Sequence, residues 1–224
     1  MSSVAMSRAV PRFFASTIGK KVVMAVSGAI LFGFAIGHML GNVQAYMGRA
    51  QFNAYAEALK ANPALLWGIR SILIGAVIAH IVSAFALVRA NRAARPTKYA
   101  GRTWRKATFA SRTMLFSGLI LLWFILYHLA HFTTGQAHPH FNPHDPYGNF
   151  VTGFKHVPSA IFYELAMACL GLHLIHGSNS LFQSLGLRNP RWAPPIRKLT
   201  ALATGAVVVV NMSFPLAVLA GVIK

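Results

Sequence analysis

The run CLGLHLIHGSNSLF, Cys169 to Phe182, sets His173 and His176 three residues apart in an otherwise apolar stretch. An imidazole persists inside a membrane only where something satisfies it, so residues of this kind mark function by default. Reading outward, the apolar character extends to about twenty residues, enough to cross a bilayer. Four further runs of that kind occur, giving spans near 22–41, 66–88, 113–133, 160–182 and 200–222. No internal repeat is visible, and residues 1–224 read as a single membrane domain.

Composition agrees. Of 224 residues, 55% are hydrophobic and 11% charged, against roughly a quarter charged in soluble domains. Glu57, Asp145 and Glu164 are the only acids, against 21 Lys and Arg. The basic residues cluster between the apolar runs rather than along a groove or helix face, which excludes a nucleic-acid reader. One cysteine, Cys169, excludes an iron–sulfur cluster, a cysteine zinc site and an internal disulfide on this chain. The first apolar run is longer than a secretory core and is read as a retained helix.

Basic residues also set direction. Arg8, Arg12, Lys20 and Lys21 precede the first span. Arg89, Arg92, Arg95, Lys98, Arg102, Arg105, Lys106 and Arg112 join the second to the third. Arg188, Arg191, Arg197 and Lys198 join the fourth to the fifth. With five spans these all fall on one side; only Arg49, Lys60, Arg70, Lys155 and Lys224 fall on the other. The positive-inside rule then predicts a cytoplasmic N-terminus and an external C-terminus. Anionic lipid accounts for part of this charge; a soluble partner docked on the basic face accounts for it equally.

Six of the ten histidines lie within spans: His38, His80, His128, His131, His173 and His176. At 1.5 Å of rise per residue, His38 and His128 sit ~24 and ~22 Å from the basic end, and His80 and His176 ~12 and ~9 Å from it. Two layers result, each fed by two helices. That suits two haems, each taking axial imidazoles from facing helices. Histidines at i and i+3 share one helix face and cannot straddle a ring. Such ligation closes the iron and favours electron transfer. A di-iron carboxylate site would need several inward glutamates. No CxxCH occurs, so the haems would be b-type. Depth alone leaves His128 against His131, and His173 against His176, open.

Three stretches carry a family resemblance: GKKVVMAVSGAILFGFAIGHML around His38, SRTMLFSGLILLWFILYHL ending past His128, and HGSNSLFQSLG from His176. Together they resemble the five-helix, two-haem cytochrome b subunit of succinate dehydrogenases and quinol:fumarate reductases, across nearly the whole chain. The resemblance implies an all-α integral membrane bundle holding two haem b groups. In that family a Ser/Thr-Gly pair precedes the third-helix ligand by about ten residues, matching Ser117-Gly118 and His128. A Gly follows the fourth-helix ligand, matching His176-Gly177. It therefore implies His38 with His128 on the outer haem and His80 with His176 on the inner. Ser27, Arg112 and Ser178, near the basic end, are candidate contacts for inner propionates, Arg112 foremost by the resemblance, with a lipid-phosphate or loop contact as the alternative. His131 and His173 are left as polar neighbours.

The resemblance further implies a flavoprotein carrying FAD and an iron–sulfur subunit docked on the cytoplasmic face of a bacterial inner membrane. Electrons from succinate would reach a quinone, menaquinone in this family, near the outer haem. Charge moving across the membrane couples to ~2.3 kcal/mol per 100 mV, so the direction of flow would feel the membrane potential. Glu57 is the expected proton carrier at the quinone site, since the family places an acid in this region; the alternative is a helix pairing of Glu57 with Lys60. Glu164, near the start of the fourth span, is expected to answer the helix dipole. Some fumarate reductases of the family carry a glutamate two residues before the fourth-helix ligand. Leu174 stands there, which favours succinate oxidation over the reverse reaction.

The outer loop, with His138, His140, His144 and Asp145, is expected to be solvated rather than a zinc site. Two other functions compete: the cytochrome b anchor of a hydrogenase or formate dehydrogenase, and a transporter or structural membrane protein whose histidines only hydrogen-bond.

Overall fold

The computed structural model describes residues 13–94 and 108–224. Among these, every regular element is helical. Five helices have the length and composition to cross a membrane: α1 (Thr17–Asn42), α3 (Pro63–Ala93), α5 (Met114–Phe132), α7 (Val157–Ser184) and α8 (Ala193–Leu219). The connections hold α2 (Arg49–Lys60) after a 3₁₀ turn at Val43–Met47, the one-turn α4 (Phe109–Arg112), and α6 (Pro146–Lys155). Arg8, Arg12, Arg95, Lys98, Arg102, Arg105 and Lys106 lie outside the described residues.

Four of the spans outrun their apolar cores, because the residues that start them are polar or proline. The Ser16 side chain caps α1 by accepting from Gly19 N at 3.0 Å. Asn62 caps α3 by accepting from Leu65 N at 3.0 Å, with Pro63 at the first helical position. Both satisfy amide groups that the first turn leaves without a helical partner. Prolines likewise open α7 and α8.

Neighbouring helices run antiparallel. Ser27, early in α1, meets His80, late in α3. Tyr127, late in α5, donates to or accepts from Ser159, early in α7, at 2.7 Å. α7 is central, packed on α1, α5 and α8; α3 packs on α1. The outward surface is apolar: Ile78 is 57% exposed, Trp123 69% and Val209 68%. Water would penalise that surface, whereas hydrocarbon accepts it, and the helices satisfy their own backbone.

The end opposite the basic residues carries the densest core. Phe52, Tyr147, Phe150, Phe154, Tyr163 and Phe214 are all buried there. α2 and α6 cover that end and are tied together through Asp145. Its Oδ1 accepts from Asn53 Nδ2 at 2.9 Å and from Gly148 N at 3.1 Å, and Oδ2 pairs with Arg49. Asn53 Oδ1 accepts from Tyr147 N at 2.9 Å. The Asn53 hydrogen bond, with the Gly148 amide and the Arg49 guanidinium, holds the Asp145 carboxyl below its ordinary range.

The outer loop is more built than a solvated turn. His138 is buried; its Nδ1 accepts from His140 N at 3.0 Å, so Nε2 carries the proton and donates to Asn149 O at 2.9 Å. Among the described residues no three of His, Cys, Asp and Glu cluster as a metal cage.

Candidate functional site

Two helix pairs meet through histidines. α1 and α5 are not among the closely packed pairs, nor are α3 and α7. Yet across the first gap His38 faces His128, ring centroids 5.6 Å apart. Across the second His80 faces His173 at 6.1 Å. Two imidazoles bound to one metal at about 2 Å each stand with centroids roughly 6 Å apart. Both separations are close to that, and in neither helix pair do the backbones pack closely.

The inner pair differs from the expectation. The resemblance named His176, but the ring that meets His80 is His173. The two positions lie about 60° apart around α7 and ~4.5 Å apart along it, and α7 presents His173 toward His80 on α3. His176 is half-buried and has no ring contact with His80 among the described residues. With His173 in the pair, the position two residues earlier is Gly171 rather than Leu174, again without a carboxylate.

Each inner imidazole is held by a serine from another helix. His80 Nδ1 lies 3.2 Å from Met24 O and 3.3 Å from Ser27 Oγ. Met24 O can only accept, so Nδ1 carries the proton and Nε2 keeps its lone pair. His173 Nδ1 lies 3.3 Å from Ser117 Oγ, whose own proton goes to Met114 O at 3.1 Å. Here too Nδ1 donates and Nε2 keeps its lone pair. Holding the far nitrogen in this way orients a metal-binding imidazole and raises its basicity. Glycines give both rings room. A Cβ at Gly28 would stand 3.2 Å from His80 Cε1, and one at Gly118 3.6 Å from His173 Cε1. Ser27, expected as a propionate contact, thus lies against the His80 imidazole, and Ser117, read from sequence only as a marker for His128, lies against His173.

On the outer pair, His128 Nδ1 lies 3.1 Å from the Tyr163 hydroxyl, leaving Nε2 available. His38 Nε2 lies 3.2 Å from Asn42 Nδ2, a contact that Nε2 would have to give up to bind a metal. Phe34 stacks on the His38 ring at 5.4 Å.

The remaining expected residues fare differently. Ser178 gives its proton to Leu174 O at 2.6 Å within its own helix. Arg112, on α4, sits with its guanidinium 5.9 Å over the Phe109 ring. Glu57 is exposed on α2. Its expected alternative partner is engaged elsewhere: Lys60 Nζ donates to Pro143 O at 3.2 Å. Glu164 lies two turns inside α7, which begins at Val157 and has no acid in its first turn. The helix dipole acts mainly within the terminal turn, so it does not account for Glu164.

Five spanning helices with histidine pairs between them define the class: an all-helical, multi-pass membrane protein. Residues 88–212 match the succinate dehydrogenase/fumarate reductase transmembrane subunit family, and the chain belongs to that family. The match spans the end of α3, all of α5 and α7, and most of α8. Searches of curated proteins and of solved structures return no significant match.

Proposed function

We propose that this chain is the cytochrome b anchor of a succinate:quinone oxidoreductase, holding two b-type haems. His38 and His128 hold the outer one; His80 and His173 hold the inner. The observation that carries this is the coincidence of two facing imidazole pairs, at two depths, each between helices that do not pack closely on one another. When bound, such groups supply one-electron carriage between the basic end and the histidine-rich end.

The chain's own residues do the rest. Ser27, Ser117 and Tyr163 fix the imidazoles with a ligand nitrogen forward. Lys20, Lys21, Arg89, Arg92, Arg112, Arg188, Arg191, Arg197 and Lys198 form the face for an iron–sulfur subunit and a flavoprotein, where succinate chemistry takes place. That face is cytoplasmic, in a bacterial inner membrane. A quinone, menaquinone by the family's habit, is reduced toward the far end, with Glu57 on α2 as its proton carrier.

Purification through a tag on this chain tests the reading. It predicts that a flavoprotein and an iron–sulfur protein co-purify, and that succinate drives quinone reduction by the complex. Recovery of a hydrogenase or formate dehydrogenase in their place would reassign it.

A further inference from the structure

One hydroxyl serves two histidines at the outer end. Tyr163 Oη lies 3.1 Å from His128 Nδ1 and 3.2 Å from His131 Nδ1. Tyr163 is 6% exposed and His131 0%. A phenol has one proton, so it can donate to only one of these nitrogens and must accept from the other.

That restriction fixes a direction. If Nε2 of His128 binds iron, Nδ1 of His128 carries the proton and donates to Tyr163. The Tyr163 proton then goes to Nδ1 of His131. His131 becomes a neutral imidazole with its proton on Nε2, an atom buried without a hydrogen-bond partner. The opposite direction puts the proton of His128 on Nε2 and forbids ligation. His131 is held in place sterically: a Cβ at Gly153 would stand 2.9 Å from its Cε1. Tyr163 is fixed by Phe124 and Phe154, each with ring centroids 5.0 Å away in edge contact.

We propose that Tyr163 is a positioning residue for the outer haem, and that His131 is the acceptor that sets the direction of its hydroxyl. This rests on the two-haem reading above. A ligand imidazole whose Nδ1–H donates gains basicity and favours the oxidised metal. Loss of that acceptor therefore raises the midpoint potential of the outer haem and leaves the inner one where it was.

The experiment is a redox titration, with low-spin electron paramagnetic resonance, of the purified intact complex. Tyr163→Phe keeps the ring and removes the hydroxyl. It is expected to retain haem, to shift one midpoint potential upward and to change one of the two low-spin signals. His131→Leu removes the acceptor and is expected to shift the same potential the same way by a smaller step. His131→Asn, which keeps an acceptor near the Nδ1 position, is expected to restore it. Tyr127→Phe is the control: that hydroxyl bonds Ser159 and has no hydrogen bond to His128, so neither potential moves. Selective loss of the outer haem in Tyr163→Phe also supports the role. Unchanged potentials in Tyr163→Phe, loss of both haems together, or an equal shift in Tyr127→Phe would overturn it. A wild-type complex without haem would instead overturn the parent reading, which keeps the two failures distinct.

Discussion

His80 on α3 and His173 on α7 face each other with ring centroids 6.1 Å apart, each with Nδ1 against a serine hydroxyl of a different helix. The two halves of this arrangement repeat: a Ser-Gly pair, Ser27-Gly28 or Ser117-Gly118, supplies both the hydrogen bond and the clearance. The repetition makes the inner site a built pair of imidazoles rather than two buried polar groups that chance to be close.

His173→Ala is expected to remove one haem per chain, and His176→Ala to leave both. Haem counted against protein after purification reads this directly. Equal loss in the two variants would return the ligand role to His176.

The two supporting serines are not equivalent. Without the Ser27 hydroxyl, His80 Nδ1 keeps Met24 O at 3.2 Å; without that of Ser117, His173 Nδ1 has no other hydrogen bond. Leaving a buried donor unsatisfied costs about 1–3 kcal/mol. Ser117→Ala should therefore weaken retention of the inner haem by roughly 10- to 100-fold, and Ser27→Ala much less. Retention during dilution in detergent measures both. Gly28→Ala should act like Ser117→Ala, since its Cβ would crowd His80 at 3.2 Å, while Gly118→Ala, at 3.6 Å from His173, should be tolerated.

How much of this was legible in the sequence depends on the kind of information involved. Depth follows from counting residues, so the two layers could be read from span positions; the choice of His128 over His131 came from the family resemblance. Rotation about a helix axis could not be read from span positions. His173 and His176 differ in depth by ~4.5 Å, within the uncertainty of a span boundary, and only the packing of α7 on α1 and α5 decides which one faces α3. Tyr163 gave no signal, because an aromatic residue in an apolar span looks like ordinary core. Nor did Ser117, whose partner lies 56 residues away. Helix starts lie outside the apolar runs for a local reason: caps such as Ser16 and Asn62 are polar and precede the apolar run that reveals a span.

The cap at the histidine-rich end should respond to acid. The Asp145 carboxyl is held below its ordinary value of 3.8, first by Asn53 and then by Gly148 and Arg49. A depressed folded value means that its contribution is complete above the unfolded value and is lost as pH falls through the lower, folded one. Hydrogen exchange of α2 and α6 should therefore accelerate only under strongly acidic conditions. Asp145→Asn should bring the same loosening at neutral pH. Exchange unchanged in that variant would mean that the aromatic core alone holds the cap.

Glu57 separates proton supply from electron carriage. It is exposed and is not ion-paired among the described residues, so Glu57→Gln should leave the fold and haem content intact. Quinone turnover should fall by roughly 100-fold or more if Glu57 delivers the proton. Turnover near that of the wild type would remove Glu57 from the site.

The most direct test of the whole account is the haem stoichiometry of the purified chain, taken from reduced-minus-oxidised spectra of the wild type and of alanine variants at His38, His80, His128 and His173. Two b-type haems per chain are predicted, with His38→Ala and His128→Ala losing the same one and His80→Ala and His173→Ala losing the other. A colourless wild-type protein, or variants that keep both haems, would contradict it.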